Sequence, residues 1–294
     1  MNKLKFYVRQ WIPRFFLKRR VSTSLSDNQV YPNFCLKASH DMTVFSTFRM
    51  HPVYRAILEH VSSKHAQVYL NEILKYPEFS SHWESFKIND KWGSPKLKKY
   101  QGIGHISSTT LRYVKVLNDL RLNFKDLSNL KIAEIGVGYG GQCRIINSIY
   151  KPKKYTLVDI KPALMLAERY LDNYILHSAM EYKTMNELEP ARYDLVISNY
   201  AFTELPRMIQ DVYLKKIILH ATSGYITYNE NHMENFHSYT KEDLIKLIPG
   251  ARIEPEVPLT APGNCIIVWG STNISILNPV LPGVTGVKKE FITA

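Results

Sequence analysis

Cysteine is scarce in this chain of 294 residues: Cys35, Cys143 and Cys265 are odd in number and far apart. They form neither a disulfide framework nor a metal-binding set, and they read as reduced thiols of a cytoplasmic protein. No apolar run approaches membrane-spanning length, and no secretory signal with a cleavage site is visible. Asn273-Ile274-Ser275 is formally a glycosylation acceptor, which a cytoplasmic chain would not use. Acidic residues are in deficit, 26 against 38 lysines and arginines, for a net charge of +12. Lys3, Lys5, Arg9, Arg14, Lys18, Arg19 and Arg20 stand among the first twenty residues without an acid. Setting these seven aside leaves about +5 on the remainder, modest for a nucleic-acid groove.

Glycine is also sparse, 13 in all, yet four fall within six residues: Gly136, Gly138, Gly140 and Gly141. An apolar strand leads into Glu134 and this loop; an amphipathic helix and a second strand ending in Asp159 follow. Glycines let the backbone turn sharply and approach a ligand closely, and an acid closing the next strand suits a ribose diol. G-x-G-x-x-G alone fits NAD as well as a methyl donor. Glu134, beside the loop, would repel a pyrophosphate but attract the ammonium and sulfonium of S-adenosylmethionine. The charge logic therefore favours the methyl donor.

Residues 1–25 form a basic amphipathic segment. Leu4, Tyr7, Val8, Trp11, Ile12, Phe15 and Phe16 share one helical face, which Pro13 interrupts. It suits a peripheral contact with an anionic membrane at its inner face, packing on the protein itself or a partner subunit, or, as a third option, nucleic-acid binding. Residues 26–125 read as a mainly helical, substrate-covering region, with turn chemistry at 89–95 and a glycine-containing loop at 100–105. Ser107 or Ser108 caps the helix carrying Arg112 and Tyr113. Residues 126–270 alternate, with strands at 131–136, 155–160, 174–178, 193–199, 223–229 and 264–269. Helices between them are expected near 140–150, 162–171, 206–220 and 240–248. This predicts an α/β fold, a parallel sheet with helices on both faces and a ligand at the carboxyl ends of its strands. Residues 271–294 read as an irregular tail.

Three segments carry a resemblance: Glu134-Ile-Gly-Val-Gly-Tyr-Gly-Gly, Val158-Asp159 and Asn199-Tyr-Ala-Phe-Thr-Glu204-Leu. They resemble a class I S-adenosylmethionine methyltransferase with its Rossmann-like sheet. More closely, the chain resembles the sugar O-methyltransferases of bacterial surface-glycan (O-antigen and capsule) clusters, over roughly residues 45–270. Asn89-Asp90 with Gly93 and Pro95, Ser108-Thr-Thr-Leu-Arg112-Tyr113, Gly140-Gly141-Gln142 and Pro258-Leu-Thr-Ala-Pro-Gly-Asn264 support the closer likeness. It implies a sugar or glycan acceptor.

On that reading Gly136, Gly138 and Gly140 admit the donor's methionine moiety, and Glu134 holds its ammonium. Asp159, with Ile160, takes the ribose. Ser178 and Ala179 flank the adenine, and Asn199 lies beside the reacting methyl. Arg112 either pairs with the methionine carboxylate or makes an ordinary ion pair. For the general base, His237 and Glu204 rank together, then His232 and then His105. Tyr200, Phe202, Tyr113, Tyr239 and His105 are candidate acceptor contacts, the aromatics by stacking on a sugar face. No aspartate cluster follows the fourth strand, so no metal is expected. Methylation of a phosphate-type glycan substituent, a nucleic-acid methyltransferase and a non-catalytic cofactor-binding scaffold are the competing readings. The prolines that amino-methylating enzymes place after the fourth strand are missing from Asn199-Tyr200-Ala201-Phe202. Oligomeric state is left open.

Overall fold

The computed structural model describes residues 29–230 and 236–271. The basic N-terminal segment, His232 and the C-terminal tail lie outside them.

The first part is helical: α1 Val30–His40, α2 Met42–Thr47, α3 Pro52–Ile57, α4 Ser63–Leu74 and α5 Trp83–Lys87. Local signals set several of the boundaries. Asp41 accepts from the backbone N–H of Thr43 and Val44 at the start of α2, and Ser62 caps α4 through His65. Residues 97–107 form a hairpin, β1 Leu97–Tyr100 and β2 Gly104–Ser107, where only a loop was expected. Then comes α6, Ser108–Phe124, capped by Ser107 Oγ accepting from Thr110 N at 3.1 Å. Leu111, Val114, Leu117 and Leu120 are fully buried along it.

From residue 131 strands and helices alternate: β3 Lys131–Ile135, α7 Gly141–Asn147, β4 Lys154–Val158, α8 Lys161–Leu171, β5 Ala179–Lys183 and β6 Tyr193–Asn199. They continue with α9 Arg207–Lys216, β7 Ala221–Tyr228, α10 Lys241–Leu247, β8 Arg252–Pro255 and β9 Cys265–Trp269. Pro162 lies in the first turn of α8, where its missing N–H is harmless. The Thr240–Asp243 capping box opens α10. The seven-stranded sheet runs β5-β4-β3-β6-β7-β9-β8, parallel through β7, with β9 antiparallel to both its neighbours. This is the expected Rossmann-like methyltransferase architecture behind a helical N-terminal region.

Alternating side chains divide β3 between the two faces. Ile132 packs with α6, α7 and α8, while Ala133 and Ile135 pack with α9 and α10. The first core also takes in Tyr31, Phe45, Phe48 and Tyr54, so the helical region and the sheet share one apolar interior.

One strand is corrected. Residues 174–178 are not β5; Tyr174 and Leu176 reach back to the core from the turn after α8, and the strand begins at Ala179. An edge strand that is only partly buried lacks the continuous apolar run that marks a central one.

Candidate functional site

The strand order reverses between β3 and β6, and a crevice at their carboxyl ends is the expected ligand position. After β3 the chain passes through Gly136, Gly138 and Gly140 with φ of 77°, 56° and 80°. That is the left-handed region, which side chains with a Cβ resist. Gly136 has a second reason to be glycine: a Cβ there would lie 2.0 Å from Ala201 Cβ. Asp159 closes the loop from β4. Its Oδ2 accepts from Val137 N (2.9 Å) and Gly138 N (3.3 Å), and its Oδ1 accepts from Ile160 N (2.7 Å). The fold thus gathers Gly136, Gly138, Gly140, Asp159 and Ile160 at one point. Gly138 lies under Leu58, which follows α3. Tyr31 and Cys35 of α1 lie close enough to Asp159 to feel its charge, so the helical region roofs this edge.

Glu134 is 2 % exposed, and its Oε2 accepts from the Tyr155 phenol at 2.6 Å. Burial pushes its carboxyl up to about 8; the Tyr155 bond opposes the shift and Asp159 adds to it. The shift favours the protonated form in this arrangement. From the sequence a free carboxylate is the state expected there.

Ser178 and Ala179 are not at the adenine position. Both lie at the amino end of β5, where Ser178 Oγ donates to Asn147 Oδ1 at 2.8 Å. At the carboxyl end Asp159 N donates to Lys183 O at 3.3 Å, and Thr184 and Met185 follow β5 there.

On the other side of the switch point, Asn199 and Tyr200 end β6. Tyr200 has φ 67°, a conformation rare for an aromatic residue and a mark of local constraint. Its hydroxyl donates to Glu256, which also accepts from Thr260 N at 2.8 Å. A cavity of about 20 Å³ opens here, bounded by Tyr69, Arg112, Asn199, Tyr200, Thr227 and Glu256 among others. That is room for roughly one water. Arg112 is 8 % exposed, its Nη2 donates to Leu58 O at 3.4 Å, and its Nε has no partner. No ion pair of Arg112 occurs among the described residues, so it is not an ordinary structural salt bridge.

Glu204 follows β6, its Oε1 accepting from Asn229 Nδ2 at 2.7 Å. Burial raises its pKa, while Asn229 and the nearby Arg112 pull the other way. Burial drives His60, after α3, down to about 4; Arg112 adds to this and the Ile57 carbonyl opposes it. Both side chains are exposed to solvent. Both feel Arg112, which places them around it. His237 is exposed, on a segment tied to the Glu204 turn by Ser238 Oγ donating to Leu205 O at 2.7 Å.

Four expected acceptor contacts are displaced. Phe202 is fully buried in the core under α9. Tyr113 is buried against Tyr139 and Gly141, a ring packed over the loop rather than open to a sugar. The ring of Tyr239 lies under Arg207, 3.5 Å from its guanidinium, and its hydroxyl donates to Asp211. His105 is exposed on the β1–β2 hairpin, away from the cavity lining. Sequence reasoning missed Tyr69, Leu58, His60 and Glu256. They carry no local pattern, and only the tertiary fold brings them to the crevice. No group of three or more histidine, cysteine, aspartate or glutamate side chains among the described residues could hold a metal ion.

No family model matches the chain, and no curated protein matches it. Among solved structures it is similar to magnesium protoporphyrin IX methyltransferase from Synechocystis PCC 6803 with SAH bound. That match has 12% identity and a TM-score of 0.42, and covers 67% of this chain and 98% of that one. It is also similar to a Thermoplasma acidophilum protein, at 15% identity, 66% and 98% coverage and a TM-score of 0.38. A third, the CurJ carbon methyltransferase, has 14% identity, 55% and 54% coverage and a TM-score of 0.39. Likeness this distant adds nothing to what the strand order establishes.

Proposed function

We propose that the protein is an S-adenosylmethionine-dependent O-methyltransferase whose acceptor is a sugar hydroxyl of a surface glycan, lipid-linked glycan or nucleotide sugar. The observation that carries the donor assignment is the pairing of the glycine turn with Asp159 at the carboxyl ends of β3 and β4. A loop with three glycines at its turns beside an acid suits a nucleoside with a short polar tail. The two carboxylate oxygens of Asp159 suit a vicinal diol, which would share or replace the bonds from Val137 and Gly138. Thr184 and Met185 stand where the adenine would lie, and Asn199 stands next to the reacting carbon. A bound ammonium would draw Glu134 back to its charged form.

The donor supplies a methyl carbon on a sulfonium. The acceptor oxygen bonds to that carbon as the carbon–sulfur bond breaks, its electron pair passing to sulfur. Positioning supplies much of the rate. The hydroxyl proton needs an acceptor, and Glu204 suits this role. Its raised pKa makes it a better base than a free carboxylate, and Asn229 fixes its direction. His237 and His232 follow it in rank. The acceptor specificity rests on the sequence resemblance.

The test is incubation with labelled S-adenosylmethionine and, separately, nucleotide sugars, lipid-linked glycans and RNA. Label in a sugar hydroxyl is expected; label in RNA alone would overturn the reading. The cations Lys131, Lys154 and Arg192 cluster at the starts of β3, β4 and β6, opposite the crevice, which disfavours nucleic acid as acceptor. For residues 1–20 we propose peripheral attachment to an anionic membrane. Deleting them is expected to reduce binding to anionic liposomes and leave donor affinity unchanged.

A further inference from the structure

Resting on that reading, we infer that the acceptor carries a carboxylate or phosphate, and that Arg112 binds it in the cavity at the carboxyl ends of β6 and β7. Arg112 is a buried cation without a counter-ion. It is 92 % buried by difference from its 8 % exposure, and one of its five donors has a partner, at 3.4 Å. Nε has none. Buried charges are ordinarily paired, so an unpaired guanidinium marks a place for an anion.

Three neighbouring acids are hydrogen-bonded elsewhere, while Glu204, within reach of Arg112's charge, is bonded to Asn229. Glu59 bonds Arg49 Nε at 2.5 Å and Thr109 Oγ1 at 2.8 Å. Asp119 bonds Lys115 Nζ at 2.8 Å and the Tyr225 phenol at 2.9 Å. Glu256 is taken up by Tyr200 and Thr260. Lys115 is neutralised by Asp119, and Glu256 meets only neutral donors, so Arg112 is the cavity's cation without an ion pair among the described residues.

Position separates this role from binding of the donor's carboxylate. The cavity is lined by Tyr69 of α4, Asn199 of β6, Tyr200 just after it and Thr227 of β7, and no residue of the glycine turn borders it. It therefore lies on the acceptor's side of the switch point. Its volume of about 20 Å³ holds about one water, so an acidic group would reach Arg112 with its leading oxygen inside and its remainder outside. Arg112 would anchor an acidic substituent while the hydroxyl lies toward Asn199 and Glu204.

The full chain, saturated with S-adenosylhomocysteine, is titrated with glucuronate, glucose 1-phosphate and methyl glucoside, following thermal melting and calorimetric heat. At least one acid should raise the melting temperature where methyl glucoside does not; which acid does so distinguishes carboxylate from phosphate. R112Q should weaken that acid at least tenfold and leave S-adenosylhomocysteine affinity within about twofold. R112K, which keeps the charge and guards against misfolding, should fall between. Equal response to the acids and methyl glucoside overturns the inference. So does an R112Q protein that loses S-adenosylhomocysteine instead, since Arg112 would then serve the donor. Failure of the wild type to bind S-adenosylhomocysteine would defeat the donor assignment alone, because the acid titration can be read without it.

Discussion

Two carboxylates from the neighbouring strands β3 and β4 behave oppositely. Asp159 receives three backbone N–H groups, so its removal strikes the loop before any ligand arrives. Asp159→Ala is expected to lower donor affinity by roughly 10–100-fold, given about 1.5–3 kcal/mol for each hydrogen bond to a charged group. Asp159→Asn should hold the melting temperature closer to wild type while still weakening the donor; calorimetry and thermal melting separate the effects. Glu134 carries a raised pKa in the fold, so between its unfolded value and about 8 the folded state binds the extra proton. Stability from this residue therefore falls as pH rises through that window. Glu134→Gln, which still accepts from Tyr155, should flatten the fall, with a melting-temperature gain at pH 8 that vanishes near pH 5. For Glu204, replacement by Gln should reduce turnover and remove the acid limb of the pH–rate profile, which His237→Asn should leave in place.

At the scale of elements, the turn at Asn89-Asp90 joins the helical region to the sheet. Asp90 accepts from Ser107 N and Oγ, Thr110 Oγ1 and Arg49 Nη1, all within 2.9 Å. Asn89 takes the Tyr170 hydroxyl from α8 at 2.8 Å and donates to Thr110. Asp90→Ala leaves the fully buried Arg49 with one carboxylate instead of two, and is expected to cost about 3–5 kcal/mol by denaturant unfolding. A loss below about 1 kcal/mol would show that this joint is dispensable. These residues were legible as a sequence motif, but their work was not, because each partner lies at least 17 residues away. The glycine turn, Asp159 and the central strands were legible because their chemistry is local. β5 was displaced because an edge strand has little apolar signature. Phe202 and Tyr113 misled because an aromatic beside a site looks the same in sequence whether it faces core or ligand.

For the molecule as a whole, one apolar cluster runs from Tyr31 of α1 to Val268 of β9. Helical region and sheet are expected to unfold together, so far-ultraviolet circular dichroism and tyrosine–tryptophan fluorescence should trace one coincident transition. Two separate transitions would show that the roof melts independently. The same continuity bears on how the two halves of the crevice communicate. The carbonyl of Leu58 takes the N–H of Arg112, and its side chain stands over Gly138, where an added Cβ would meet it at 2.7 Å. One residue thus touches both the donor's loop and the cation of the acceptor's cavity. On the proposed reading, filling either side would press on Leu58 and through it reach the other. Thermodynamic reciprocity then requires that each ligand change its counterpart's affinity by the same factor, making this short roof segment a free-energy link between the two substrates.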